Sequence, residues 1–390
     1  MRDFLLLKIV IAVVLGTLFG VLIRAFDLAV LLQVALSTKH ILGGIIFFAV
    51  PLVIIAFVTP AVVSAGKNAG SMTFSALAIA YISSLGAALL AMVAGYIIVP
   101  NLNINTNFAD LVKLPELIFK LDIEPMFSVI SSLLFSICFG LAVLYTKSRT
   151  LEALFDESCN VMLAILQKFI IPILPFFILT TFVELSYTGL ITDQLPTLFK
   201  MVIIVLVGHI IWLCVLYAIG ALVSGKSPFR VLKHYAPAYL TAVGTMSSAA
   251  TLPVALSCAS KSDALSPEIV KFAIPLGATI HLCGSVLTET FFVMGISYIL
   301  TGAVPSLSVM IPFVVLLGVF AVGAPGVPGG TVMASVGIIV SVLGFDATAV
   351  GLVMAIFAVQ DSFGTACNVT GDGALAMMLE GIYGKKEKSC

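Results

Sequence analysis

Eight stretches of this chain, at about residues 4–26, 36–64, 71–99, 121–146, 159–188, 196–223, 267–300 and 347–382, stay apolar long enough to cross a lipid bilayer as helices. In a bilayer every backbone N–H and C=O must be satisfied within the protein, so runs of this length and number admit few folds besides a helical bundle. Composition agrees: 61% of the 390 residues are hydrophobic, 10% are charged, and the mean hydropathy is +1.22. The expected class is an all-α membrane protein of eight transmembrane helices.

Two further apolar regions, about 229–262 and 305–345, are broken in the middle by Ser-Ser-Ala-Ala-Thr-Leu-Pro (247–253) and Pro-Gly-Val-Pro-Gly-Gly (325–330). A spanning helix is interrupted by such sequences, whereas a hairpin that enters the membrane and turns back can place them beside protein or water. Each region is therefore expected to be a re-entrant helical hairpin. Paired interruptions in two halves of a chain are the mark of inverted repeats, with a binding site between the tips. Lys and Arg fall mostly on one expected side, including Arg2, Lys8, Lys147, Arg149, Lys226 and Lys385, against Arg24, Lys39, Lys113 and Lys120 on the other. The positive-inside rule then puts both termini in the cytoplasm, and the expected location is the plasma (inner) membrane.

Within the last span, Asp361, Thr365, Asn368 and Asp372 are separated by offsets of 4, 7 and 11 residues. Those offsets return to nearly one angle on a helix, giving a polar ladder roughly 16 Å long. Carboxylates at bilayer depth cost several kcal/mol, about 2.5 or more each, unless they meet a cation, a cavity or a partner. They are candidates for gripping an ammonium group and a hard cation, both of which seek carboxylate oxygens. The bland alternative is that the two acids only pair with other polar groups of the bundle.

Other classes fit less well. An intramembrane aspartyl protease needs two carboxylates in contact, and one helix keeps Asp361 and Asp372 about 16 Å apart. A passive channel uses polar rungs but has no need of two interrupted hairpins. Zero net charge and the absence of a basic patch set nucleic acid aside. Seven cysteines, odd in number and mostly in apolar runs, read as packing residues and not as a disulfide framework. The first apolar run reads as a retained helix and not a signal peptide, and the terminal Lys-Ser-Cys does not match a prenylation signal. Glu184 and His209 stand alone near span ends and read as interfacial or packing residues.

The segments SSAATLP (247–253), FAIPLGATIHLCGS (272–285), GVPGG (326–330) and DSFGTACNVTGD (361–372) resemble, in order and spacing, those of the dicarboxylate/amino acid:cation symporters, the glutamate-transporter family. The resemblance covers nearly the whole chain and is most specific in its last third. It implies that Asp361 holds a substrate's amino group, with Thr365 and Asn368 completing the contacts. Asn368 and Asp372 would give oxygens to sodium, and Gly277 and Thr279 match positions around a cation. Ser247 and Ser248, at the first break, can hold a carboxylate through hydroxyl and N–H groups, or simply bond back to the preceding turn. Val327, Pro328 and Gly329 would contact substrate at a second tip whose glycines, Gly326 to Gly330, let it hinge.

The seventh span departs from that family. Where relatives carry Asn-Met-Asp-Gly-Thr, this chain has His281, Leu282, Cys283, Gly284 and Ser285, which puts one sodium site in doubt. His281 can stand in for a cation when protonated or act as a ligand when neutral; a hydrogen-bonded core histidine is the plain alternative. Glu289 matches a position where relatives of this type carry a protonatable Glu, so His281 and Glu289 are the proton-coupling candidates, and a structural hydrogen bond is the alternative for Glu289. At Gly364, carriers of acidic substrates have an Arg that pairs a second carboxylate, and Met246 also stands where some relatives have Arg. A second carboxylate would thus be buried without a partner, so the expected substrate is a neutral amino acid.

The resemblance further implies a homotrimer. Residues 1–66 and 121–190 would form a scaffold of spans one, two, four and five; residues 71–99 and 196–382 would form a mobile transport domain. The expected function is cation-coupled symport (sodium, proton or both) by alternating access, with no enzymatic activity and no cofactor besides a coupling sodium ion. A proton-coupled carrier of organic acids or dicarboxylates is the second reading.

Overall fold

A computed structural model describes residues 5–67, 71–102, 114–189, 194–324, 326 and 328–384. Within them every regular element is a helix, and eight helical segments are long and apolar enough to cross a membrane. The first is α1 (Leu5–Ala25), followed by α2 (Ala29–Lys67), which contains Pro51 and Pro60, and by α3 (Ser71–Ile98), which ends in a 3-10 turn. The fourth span is shorter than its apolar run suggested. It starts at Val129, not near 121, because residues 114–128 include Pro115 and Pro125 and run outside helix until Ser128 caps α4 (Val129–Thr146) by accepting from the Ser131 N–H.

The fifth span is longer than expected. Ser148 caps α5 (Arg149–Ile165), whose Glu152, Asp156 and Glu157 had excluded it from the apolar count, and a π turn at Leu166–Ile170 joins it to α6 (Ile171–Thr188). Then come α7 (Leu195–Ser224) and the short α8 (Phe229–Leu232). The first interrupted region is a pair of short helices, α9 (Ala236–Thr245) and α10 (Ser248–Ser260), packed on one another. The seventh span is two helices in line, α11 (Pro267–Ile280) and α12 (Cys283–Thr301). The second interrupted region is again a packed pair, α13 (Leu307–Gly323) and α14 (Gly330–Leu343). The last helix, α15 (Ala347–Tyr383), is capped by Asp346, whose side chain accepts from the Ala349 N–H at 2.8 Å.

Packing sorts these helices by polarity. α15 is wrapped by α7, α9, α11 and α12, while α3 lies on α12 and α13. Elsewhere α1 lies on α6, and α2 on α4 and α6. Close approach of α1 to α6 depends on Gly16 and Gly20, a small-xxx-small pair: a Cβ on Gly16 would lie 2.5 Å from the Leu179 carbonyl oxygen. The spanning part of α15 is 89% buried, whereas those of α1, α4 and α7 are each 28% buried and turn Leu, Ile, Val and Phe side chains outward. Such a surface has no stable place in water, and its extent suits a surrounding lipid phase.

Candidate functional site

The two helix-pair tips meet over the middle of α15. Ser247 caps α10: its Oγ accepts from the Ala250 N–H at 3.2 Å and donates to the Gly326 carbonyl of the opposite tip at 2.7 Å. Met246, just before it, is held at φ +53°, a left-handed conformation that ends α9 sharply. Ser248 is buried as the first residue of α10 and packs beside Gly326. In the second tip Gly329 sits at φ +70°, which glycine adopts without steric cost, and Pro328 is half-buried in the turn. Val327 lies outside the described residues.

Gly329 reaches the ladder directly. Its N–H donates to Oδ2 of Asp361 at 2.8 Å, so the backbone of the second tip caps a carboxylate that is only 4% exposed. Thr365 is buried one turn farther along α15. Gly364 is no open space: a Cβ there would stand 3.5 Å from the Cα, N and Oγ of Ser285, ordinary contact distance, so the face it leaves is covered by the start of α12.

The break between α11 and α12 is the second part of the site. His281 and Leu282 leave helical geometry, and the side chain of Asn368 takes up N–H groups that this frees. Asn368 Oδ1 accepts from the N–H groups of Gly284 (2.7 Å) and Ser285 (3.3 Å), while its Nδ2 donates to Ser285 Oγ at 2.9 Å. Asn368 therefore serves as the cap of α12. The His281 ring bridges two helices, with Nδ1 3.0 Å from Asp372 Oδ1 and Nε2 2.8 Å from Ser83 Oγ of α3. Gly277 makes room for this pair: a Cβ there would lie 2.6 Å from Asp372 Oδ1. Both partners are 1% exposed, so an unpaired charge on either would be costly and the contact between them is what makes their burial tolerable.

Not every residue expected at the site joins it. Thr279 is exposed and donates to the Leu276 carbonyl of its own helix at 2.7 Å, away from Asp372. Glu289 is fully buried two turns into α12, apart from both clusters. His209 is not near a span end but in the middle of α7, buried and bonded to α12. Glu184 is not alone: it is paired with the buried Lys39, and Thr348 bonds to both. Ser83 was missed, although the Ser83–Ser84 pair is a visible polar step in an apolar span.

The arrangement offers two buried carboxylates on one helix, one beneath the two helix-pair tips and one against an imidazole. It provides an acceptor for an ammonium group and oxygens for a small cation. The model of the sodium:dicarboxylate symporter family matches residues 5–382. Human neutral amino acid transporter B(0) is 28% identical over 273 residues, covering 68% of this chain and 49% of that protein. Human excitatory amino acid transporter 1 is 28% identical over 251 residues, 63% and 46% of the two chains. Mouse excitatory amino acid transporter 3 is 35% identical over 160 residues, 41% and 30%. The matches span about half the length of these relatives or less. From residue 5 to residue 382, through both interrupted helix pairs and the polar ladder, the chain belongs to the sodium:dicarboxylate symporter family, a family of membrane transporters and not of enzymes.

Proposed function

We propose that this protein is a secondary active transporter that moves a neutral amino acid across the plasma (inner) membrane by alternating access, in symport with sodium, protons or both. The observation that carries the proposal is Asp361: a buried carboxylate whose partner is the backbone N–H of a glycine tip. A substrate ammonium group would take that oxygen when the tip opens, and charge-assisted pairing in a dry pocket favours it over a neutral amide. Ser248 and the Ala249 N–H at the start of α10 lie against Gly326 of the opposite tip, and they are the groups proposed for the substrate carboxylate. Gly364 and Met246 supply no guanidinium, so a second carboxylate would enter unpaired.

Asp372 is the proposed cation ligand, with the Gly277 backbone beside it and Asn368 within the same ladder. His281 occupies the position from which a protonated ring would neutralise Asp372 in place of sodium, and Glu289 is the second candidate to carry a proton. In this reading the paired helices α9–α10 and α13–α14 are re-entrant hairpins of an inverted repeat. α1, α2 and α4–α6 are the scaffold of a homotrimer with cytoplasmic termini, and α3 and α7–α15 move.

Uptake by purified protein in liposomes, with sodium and proton gradients imposed separately, tests the proposal against a panel of substrates. A neutral amino acid is expected to accumulate and aspartate is not; equal uptake of both removes the specificity claim. The family's description keeps a dicarboxylate carrier as the second reading, and it gains if uptake persists for a substrate lacking the amino group. His281→Asn is expected to flatten the dependence of uptake on pH between about 5.5 and 8; an unchanged profile assigns the proton elsewhere.

A further inference from the structure

His209 is bonded to neither carboxylate of the ladder, yet it is buried between α7 and α12. Its Nε2 lies 3.0 Å from the Gly284 carbonyl oxygen and 2.9 Å from Thr288 Oγ1. The Thr288 hydroxyl itself donates to the Gly284 carbonyl at 2.9 Å. A carbonyl only accepts, so Nε2 carries the hydrogen and the three groups close a triangle on the first turn of α12. Gly284 is thereby held by both of its backbone groups: its N–H by Asn368 of α15 and its C=O by His209 of α7. Gly284 has no slack for adjustment, since a Cβ on it would lie 2.5 Å from both Cys367 Cβ and the Gly364 carbonyl oxygen.

We infer that His209 is a positioning residue for the substrate site, clamping the start of α12 so that Ser285 and Asn368 stand at fixed places beside Gly364. The physical reason lies in the break. A helix that begins inside the bundle, after the non-helical His281 and Leu282, has a first turn that frays unless its end groups are held. Asn368 alone holds N–H groups; pulling on Asn368 would move the turn with it. A second hold from a different helix converts one tether into a fixed position, and preorganisation of this kind acts on binding more than on turnover. The inference rests on the amino-acid transport reading above.

The test is uptake kinetics of His209→Leu, His209→Gln and His209→Asn in liposomes, beside Ser136→Ala, which deletes a buried hydrogen bond within α4. A Gln amide nitrogen reaches about as far as Nε2, whereas that of Asn reaches only as far as Nδ1. In His209→Leu the substrate KM is expected to rise about fivefold to tenfold, the size of one lost buried hydrogen bond, with Vmax within about twofold. His209→Gln is expected to restore KM, His209→Asn is not, and Ser136→Ala leaves it unchanged. An unchanged KM in folded His209→Leu overturns the inference; if that variant does not fold, equal KM in the Gln and Asn variants does so. Should the wild type carry no amino acid at all, the transport reading falls. Hydrogen exchange of residues 281–289 then decides on His209: faster exchange in the Asn than in the Gln variant supports the clamp, and equal exchange overturns it.

Discussion

α7 and α15 are both long enough to span a membrane, yet they have opposite characters. α7 is among the most apolar of the spans and only 28% of its spanning part is buried; α15 is among the least apolar and is 89% buried. In a protein surrounded by water the correlation runs the other way, because the apolar helix seeks the interior. Here the apolar residues of α7, such as Phe199, Ile203 and Ile210, point outward, while Asp361, Asn368 and Asp372 of α15 are shut in. The difference teaches that the medium outside is as apolar as the core, so burial alone gains little and polar contacts decide which helix goes inside.

This comparison can be broken most severely at Asp361. Asp361→Asn is expected to lower uptake by about 100-fold or more, the cost of removing one partner of a buried charge pair, while the protein still purifies as a folded species. Native rates would show that the buried polarity of α15 is only structural. Next in size is Gly284→Ala, whose methyl group meets a backbone oxygen at 2.5 Å; overpacking of about 1–3 kcal/mol should lower the melting temperature in detergent. A melting temperature equal to wild type would mean that the α12–α15 contact is looser than described.

Thr348→Val probes a polar contact between the ends of the bundle, where Lys39 and Glu184 share the Thr348 hydroxyl. A loss of about 1–2 kcal/mol is expected from the unpaired valences left on that ion pair, read as a smaller drop in melting temperature. The smallest effect belongs to Ile210→Ala, on the outward face of α7 next to His209. That residue is 63% exposed, and a change within about 0.5 kcal/mol with unchanged uptake is expected. A large effect there would show that this face is covered by protein, not lipid.

The features readable from the sequence were those with a local period or a local break. The Asp361 ladder follows from helical spacing, and the interruptions at 247–253 and 325–330 follow from Ser, Pro and Gly, so the paired short helices came out where expected. Span ends were less legible. An apolar count could not see that Pro115 and Pro125 keep the chain out of helix before Val129, nor that the charged first turns of α5 continue into α6. Beyond His281 with Asp372, which the family resemblance placed side by side, the long-range contacts were not legible. His281 with Ser83, His209 with Gly284, and Glu184 with Lys39 join residues 75 to 198 positions apart. No periodicity encodes such pairs, and an apolar span with a single polar residue looks the same whether that residue is idle or engaged.

The amide of Gly329 occupies Oδ2 of Asp361, one of the two oxygens that the proposed ammonium group would seek. Any such visitor competes with the chain's own backbone, so its measured affinity reports a difference between two contacts and not the strength of one. Loosening the turn at Pro328 and Gly329 would therefore tighten occupancy without altering a single atom that the visitor touches. With that amide in place, the buried carboxylate of Asp361 is not left bare.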